Sequence, residues 1–115
     1  AMESDEREGL VRTYLDTLLP DDWNALSLYE RRNYLNGSEF GGESRVGTVE
    51  RTLVCNMEIW CECFGRDASA MKPADSYAIA GIMKKINGWN KYQGNKNGTS
   101  HFPIYGRQRC YEKNE

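Results

Sequence analysis

Apolar side chains recur at helical spacing in three segments of the chain, and shorter segments alternate between apolar and polar positions. The helical spacing predicts three core helices, over residues 27–35, 56–64 and 74–86. The alternation predicts three short strands, over residues 50–54, 89–92 and 105–112. Three helices and a small sheet indicate an α+β fold.

Local signals support the ends of these helices. Ser27 and Glu30 have the spacing of a capping box, in which each side chain accepts a hydrogen bond from the other residue's backbone amide. Asn56 is a candidate cap for the next helix, and Gly65 is placed to close it. Pro73 suits the first turn of the last helix because that position needs no backbone donor.

An additional helix precedes this set. Ser4 is its candidate cap, and Pro20 is expected to end it. Its apolar positions are Leu10, Val11, Tyr14, Leu15 and Leu18. We therefore divide the chain into an N-terminal helical arm, residues 1–24, and a domain of residues 25–115. Residues 37–48 are rich in Gly, Ser and Glu and predict a mobile loop or hairpin.

The order of elements in the last third of the chain is typical of a winged helix. A helix ends at Asn87-Gly88, and a strand led by Trp89 follows. Residues 93–100 form a polar loop, and a return strand runs from Phe102 to about Glu112, with Pro103 interrupting its start. The predicted fold is a winged-helix (winged helix-turn-helix) domain with an extra N-terminal helix, an architecture most often used to hold DNA.

Charge is distributed unevenly along the chain. Residues 1–71 contain 7 Lys and Arg against 14 Asp and Glu, whereas residues 72–115 contain 8 against 3. The formal net charge of −2 therefore conceals a basic C-terminal part. Such a part favours a basic face with its own partner. The alternative is that the charges segregate by chance and only keep the chain soluble.

The helix over 74–86 is the candidate recognition helix, which would lie in the major groove. Its candidate DNA-binding residues are Lys72, Ser76, Tyr77, Lys84 and Lys85. Small residues at 80 and 81 would allow close approach to DNA. No Arg, and no Asn or Gln, stands mid-helix for bidentate base contacts, so sequence-specific recognition is not indicated. The alternative is a surface helix with solvated lysines, in which Gly81 makes room for a neighbouring side chain.

The wing supplies the remaining candidates. They are Lys91, Lys96, Arg107 and Arg109. In an extended strand, the two arginines share one face with Tyr105 and Tyr111. Basic residues interleaved with aromatic ones suit a phosphate backbone. The alternative is that both tyrosines pack inward under the arginines.

Other chemistry is poorly supported. Cys55, Cys61, Cys63, Cys110 and His101 lack the spacing of common zinc sites. We interpret Glu58 and Glu62, four residues apart on one helix, as a solvated face. The single histidine has no Ser or Cys motif beside it, and no Gly-rich phosphate loop is present. We expect neither enzymatic activity nor a cofactor or metal.

The chain shows no sign of export or membrane insertion. Its N-terminus is acidic and lacks the basic-then-apolar pattern of a signal peptide. No apolar run approaches the roughly 20 residues that span a bilayer. We expect a cytoplasmic protein with reduced cysteines and no membrane partner.

Four stretches of the chain resemble a known family. They are Leu19-Pro-Asp-Asp-Trp23, Leu28-Tyr-Glu-Arg-Arg-Asn-Tyr-Leu35, Val54-Cys-Asn-Met-Glu-Ile-Trp-Cys-Glu-Cys-Phe-Gly65 and Ile104-Tyr-Gly-Arg-Gln-Arg-Cys-Tyr111. Together they resemble the C-terminal region of the virulence-associated protein E family, which phages and genomic islands encode. The resemblance covers nearly all of residues 10–113.

The resemblance implies a non-catalytic domain that trails a P-loop replicative ATPase, often accompanied by a primase module. The ATPase motifs are absent from this chain, so nucleotide binding and helicase activity cannot be transferred to any residue of it. The expected function is weak, non-specific DNA binding in mobile-element replication. The alternative is a protein-interaction module that docks on the ATPase ring or the primase without contacting nucleic acid. A small stand-alone enzyme is a third possibility.

Overall fold

The computed structural model describes residues 4–37 and 46–114 and has four helical segments and four strands. The helices are α1 (Ser4–Asp16), α2 (Leu28–Leu35), α3 (Asn56–Glu58, continued as a π-helix over Ile59–Cys63) and α4 (Pro73–Lys85). The strands are β1 (Leu53–Cys55), β2 (Trp89–Lys91), β3 (Thr99–Phe102) and β4 (Gly106–Lys113). Single 3₁₀ turns lie at Trp23–Ala25 and Ala68–Ala70. The α+β class is confirmed.

The predicted ends of α2 and α4 agree with the structure. Ser27 and Glu30 form the capping box: the Ser27 Oγ accepts from the Glu30 amide at 3.2 Å, and the Glu30 carboxylate accepts from the Ser27 amide at 3.1 Å. Pro73 begins α4, where the Asp75 carboxylate accepts from the Lys72 amide at 3.0 Å. Both helices therefore start where a side chain satisfies an otherwise unpaired amide.

Two predicted caps differ from the structure. Asn56 is the first residue of α3 and not its cap, because Cys55 is extended and its amide donates to Glu58 Oε1 at 3.2 Å. Pro20 does not end α1, which stops four residues earlier at Asp16. Ser4 is the first helical residue, and its side chain lies outside the described part of the chain.

The sheet is antiparallel in the order β1-β4-β2, and β3 also pairs with β4. Along β4, residues 106–109 pair with β3 and residues 111–113 pair with β2. The Cys110 amide donates to the Gly98 carbonyl, and the Cys110 carbonyl accepts from the Tyr92 amide, so β2 and β3 follow the same edge of β4. Residues 92–98 bulge out of that edge between the two strands.

This register corrects the predicted wing. The predicted return strand from Phe102 to about Glu112 does not start at Phe102, because the chain reverses at residues 103–105 between β3, which begins inside the predicted loop, and β4. Pro103 cannot continue β3, and Gly106 adopts a φ of 74° that favours glycine. The predicted strand over 50–54 begins later, at Leu53. Of the predicted mobile loop, residues 38–45 lie outside the described residues.

One apolar core joins the helices to the sheet. Its buried members are Val11, Tyr14, Leu15, Val54, Ile59, Trp60, Cys61, Ile79, Ile82, Met83, Ile86 and Trp89. Val11, Tyr14 and Leu15 belong to α1, so part of the N-terminal arm packs in the same core as α4 and β1. The domain boundary at residue 24 stays a prediction. Within the described ranges, no helix has the length and hydropathy to cross a bilayer.

Candidate nucleic-acid interface

The two carboxylates of α3 are buried, which overturns their interpretation as a solvated face. Glu62 Oε2 lies 2.8 Å from the Arg31 guanidinium, and Glu58 Oε2 lies 3.5 Å from that of Arg51. The hydroxyls of Tyr14 and Tyr105 each donate to Glu62 at 2.7 Å. We call these six side chains the buried ion network. Its members come from α1, α2, α3 and the segments before β1 and β4.

Burial dominates the electrostatics of this network. It raises the pKa of Glu58 to about 7, against the opposing effect of Arg51. It also raises the pKa of both tyrosine hydroxyls, which therefore stay protonated and donate to Glu62. The side chains of Arg31, Glu58 and Glu62 are at most 5% exposed. The two carboxylates are therefore closed off from solvent and join α3 to α2 and to the segment before β1.

A cleft of about 660 Å³ separates the starts of α3 and α4 from the wing. Asn56, Met57, Met71 and Ser76 line its helical side. Its wing side is lined by Lys91, Tyr92, Gln93, Asn95, Lys96, Asn97, Gly98, Gln108, Arg109, Cys110 and Tyr111. The lining combines three cations, two tyrosines and five amide side chains, and it includes no carboxylate.

The three cations of the cleft lack the carboxylate partners that the arginines of the buried ion network have within the described residues. Lys91, Lys96 and Arg109 are exposed, and none of them has an ion-pair partner within residues 4–37 and 46–114. Lys91 on β2 is the cross-strand neighbour of Tyr111 on β4. Arg109 lies two residues before Tyr111, on the same face of the strand. The positive charge of this wall is therefore available to an anion.

The loop over residues 92–98 is fixed by its own hydrogen bonds. The Asn95 side chain donates to the Thr99 carbonyl at 2.6 Å and accepts from the Thr99 amide at 3.1 Å. The Tyr92 ring lies directly over Gly94, where an added Cβ would stand 2.1 Å from the tyrosine oxygen. A side chain at 94 would therefore displace the Tyr92 ring from this position, and the two Asn95 hydrogen bonds hold the loop on its side of the cleft.

The structure brings together four of the nine predicted DNA-binding residues. Ser76, Lys91, Lys96 and Arg109 line the cleft. The other five, Lys72, Tyr77, Lys84, Lys85 and Arg107, are exposed and do not line it. Lys85 is nine residues from Ser76 along α4, or about 13 Å along the helix axis. The predicted residues therefore form a cleft group and a flanking group.

The structure gives the orientation of the tyrosines and arginines over residues 105–111 and of Gly81. Tyr105 and Tyr111 pack against the core, as the inward alternative held, while Arg107 and Arg109 stay exposed. The guanidinium of Arg107 donates to the Thr99 hydroxyl at 3.2 Å. A Cβ at Gly81 would meet nothing within 4 Å, so Gly81 does not make room for a neighbouring side chain.

Sequence reasoning missed Asn56, Tyr92, Gln93 and Gln108 as cleft residues. Asn56 was interpreted as a helix cap, but its amide donates to Ser76 Oγ at 3.1 Å and so links α3 to α4 at the cleft wall. Only the pairing of β4 with β2 and β3 places Gln93 and Gln108 beside the helices. A tertiary register of this kind has no signal in a single sequence.

The cysteines serve packing. Cys55, Cys61, Cys63 and Cys110 are free thiols, and burial raises the pKa of each, that of Cys63 to about 12. Cys55 and Cys110 face each other across β1 and β4 and pack with Phe102. In the part of the chain that the structure describes, no group of three or more His, Cys, Asp or Glu is placed to hold a metal ion.

Compared with protein-family models and with curated proteins, the chain gives no match.

Proposed function

We propose that this chain is a winged-helix domain that binds DNA with little sequence preference. The order of elements supports the fold: α2, β1, α3 and α4 precede the wing strands, and β4 lies between β1 and β2. This strand order is that of the small sheet of winged helices. Helix α4 then occupies the position of the recognition helix.

The cleft is the single observation that carries the proposal. Lys91, Lys96 and Arg109 converge there without an acidic lining residue, although the whole chain carries a net charge of −2. Phosphate contacts supply most of the affinity in non-specific DNA binding. The flanking residues Lys84 and Lys85 extend the basic surface along the exposed end of α4.

The resemblance to the C-terminal region of the virulence-associated protein E family implies such a domain behind a replication ATPase of phage type. In that setting weak DNA binding would hold the strand near the motor while the ATPase core performs the chemistry. Weak, non-specific contacts suit this role because the motor must move along any sequence. We therefore propose an accessory domain without catalytic activity of its own.

A salt titration tests the proposal. DNA binding by the purified domain is measured from about 50 to 200 mM salt, on a single strand and a duplex. Replacing Lys91, Lys96 and Arg109 together by Gln is expected to make the slope of log K against log salt shallower by about 2.7, at about 0.9 per phosphate contact on duplex DNA. Arg66→Gln, an exposed arginine outside the cleft, is the control. Absence of binding at the lowest salt would reject the proposal.

A second candidate, docking on the ATPase core or the primase, is favoured by the exposed face of α4. Tyr77 is 79% exposed there, and Gly81 leaves open space one turn along the helix. An exposed tyrosine beside a glycine suits close contact with another protein. Tyr77→Ala should abolish binding to the separately expressed ATPase core if this candidate holds, and should leave DNA binding within about twofold.

A further inference from the structure

The cleft combines the two kinds of group that recognise a nucleotide. Its cations suit a phosphate, and its tyrosines and amides suit a base. We infer that the cleft receives an unstacked nucleotide of single-stranded DNA, so that the domain prefers single strands to duplex. This inference deepens the proposed function and rests on it.

The phosphate part of the site is built on β2 and β4. Lys91 is paired with Tyr111, and Arg109 precedes Tyr111 by two residues, on the same face of β4. Diagonal neighbours of this kind have Cβ atoms about 7–8 Å apart, within reach of two long side chains that hold one phosphate group. Lys96 extends the positive charge into the loop, so the backbone of a strand can run from the sheet towards the loop.

The base part of the site lies between the wing loop and the helices. Gln93 and Asn97 are exposed amides on the cleft, able to donate and accept hydrogen bonds to any base edge. The Tyr92 ring is held over Gly94, and the Tyr111 ring is half-buried beside Asn56. Stacking on aromatic rings is tolerant of sequence because every base has a π-face.

The shape of the site selects the single strand. A duplex keeps its bases stacked and offers a convex backbone, so it can contact the rim cations but cannot place a base in a concave cleft. A single strand can do both. The hydrogen bonds of Asn95 to Thr99 keep the loop in place, so less ordering is needed on binding.

The chain provides a matched pair of variants to test this. Asn97 lines the cleft and Asn87 does not, yet both are exposed and both precede a glycine with positive φ. Asn97→Asp places a negative charge in the cleft next to Lys96, where it repels an anionic strand, whereas Asn87→Asp adds the same charge outside the cleft. We expect Asn97→Asp to weaken single-strand binding by about three- to tenfold, and Asn87→Asp to change it by less than about twofold.

The experiment measures the affinity of the domain for three ligands: a mixed-sequence single strand of about 16 nucleotides, the corresponding duplex and a mononucleotide. Changes in amide NMR shifts show where each ligand binds. We expect the single strand to bind about tenfold tighter than the duplex and to shift the amide resonances of residues 91–98. Duplex binding as tight as single-strand binding, with equal effects of the two Asp variants, would overturn it and leave the proposed function standing. A mononucleotide that binds as tightly as the strand would also overturn it. Absence of binding by all three would overturn both proposals.

Discussion

The arginines of the buried ion network and the cations of the cleft carry the same charge, but the arginines are buried against carboxylates and the cleft cations are exposed without them. Arg31 and Arg51 are at most 3% exposed and lie against carboxylates and aromatic rings. Lys91, Lys96 and Arg109 are exposed and have no carboxylate in the cleft lining. The first group joins elements of the fold, and the second faces outward.

This difference shows that net charge by segment is a poor guide to function. The acidic residues 1–71 contribute Glu58 and Glu62 to the interior, where two arginines of the same segment balance them. These paired groups largely offset one another within the core, so a count of charges by segment overstates the acidity of the surface. The basic surface therefore depends on a few unpaired side chains, and the two regions should respond differently to the same substitution.

The largest expected effect is on the buried ion network. Arg31→Met would leave Glu62 buried without its ion-pair partner, and we expect a loss of about 3–5 kcal/mol in the free energy of unfolding. Urea denaturation measures it. Arg109→Met, the same substitution in the cleft, should change the free energy by less than about 0.5 kcal/mol. Equal effects of the two variants would contradict the comparison.

The next effect is a pH dependence that arises from the network. The pKa of Glu58 in the folded protein is raised to about 7 by burial, above its value of about 4.3 in an unfolded chain. The folded state then binds the proton more tightly, so the stability is fully present below about pH 4 and is lost as the pH rises through 7. We expect a decrease of about 1–3 kcal/mol between pH 5 and pH 8, measured by urea denaturation. A Glu58→Gln variant that keeps the same slope would refute the assignment.

A smaller effect is expected on the exposed face of α4. Gly81→Ala should stabilise the domain by about 1 kcal/mol, because alanine favours the helix and its methyl group meets no neighbour within 4 Å. Thermal unfolding measures the gain. If this face also binds DNA or protein closely, the same variant should bind more weakly although it is more stable. A destabilised variant would show that a methyl group at 81 meets a neighbouring group.

The smallest effect on stability is expected for two arginines of β4, whose variants should nevertheless differ clearly in DNA affinity. Arg107 and Arg109 are exposed on the same face, but only Arg109 lines the cleft. Neither Arg107→Gln nor Arg109→Gln should change the free energy of unfolding by more than about 0.5 kcal/mol. Fluorescence anisotropy should show weaker DNA binding for Arg109→Gln than for Arg107→Gln. If Arg107→Gln weakened DNA binding more than Arg109→Gln, the DNA would contact the end of the β3–β4 hairpin and not the cleft.

The helices and most of the sheet could be predicted because their signals are local. The Ser27–Glu30 capping box and Pro73 each fix a helix start through neighbouring backbone groups. The hairpin turn at residues 103–105 was missed because Pro103 and Gly106 were interpreted as parts of one strand. The continuation of α3 as a π-helix has no recognised signal in the sequence.

The buried ion network was missed although one signal was present. Around Glu58 and Glu62 the helix carries Met57, Ile59, Trp60, Cys61, Cys63 and Phe64, so it is apolar on nearly every side. A helix of this kind is buried, and its carboxylates must then find internal cations. Which cations they would be could not be predicted, because Arg31 and Arg51 meet them only through tertiary packing.

The buried ion network also constrains the order in which the chain can acquire structure during synthesis. Arg31 and Arg51 leave the ribosome before Glu62, and Tyr105 follows more than 40 residues later. Until Glu58 and Glu62 have been synthesised, the two arginines have no internal counter-charge. They remain hydrated, because burying them unpaired would cost several kcal/mol. A nascent chain that ends before residue 58 should therefore remain without a packed core, and the whole domain should become compact in one late step.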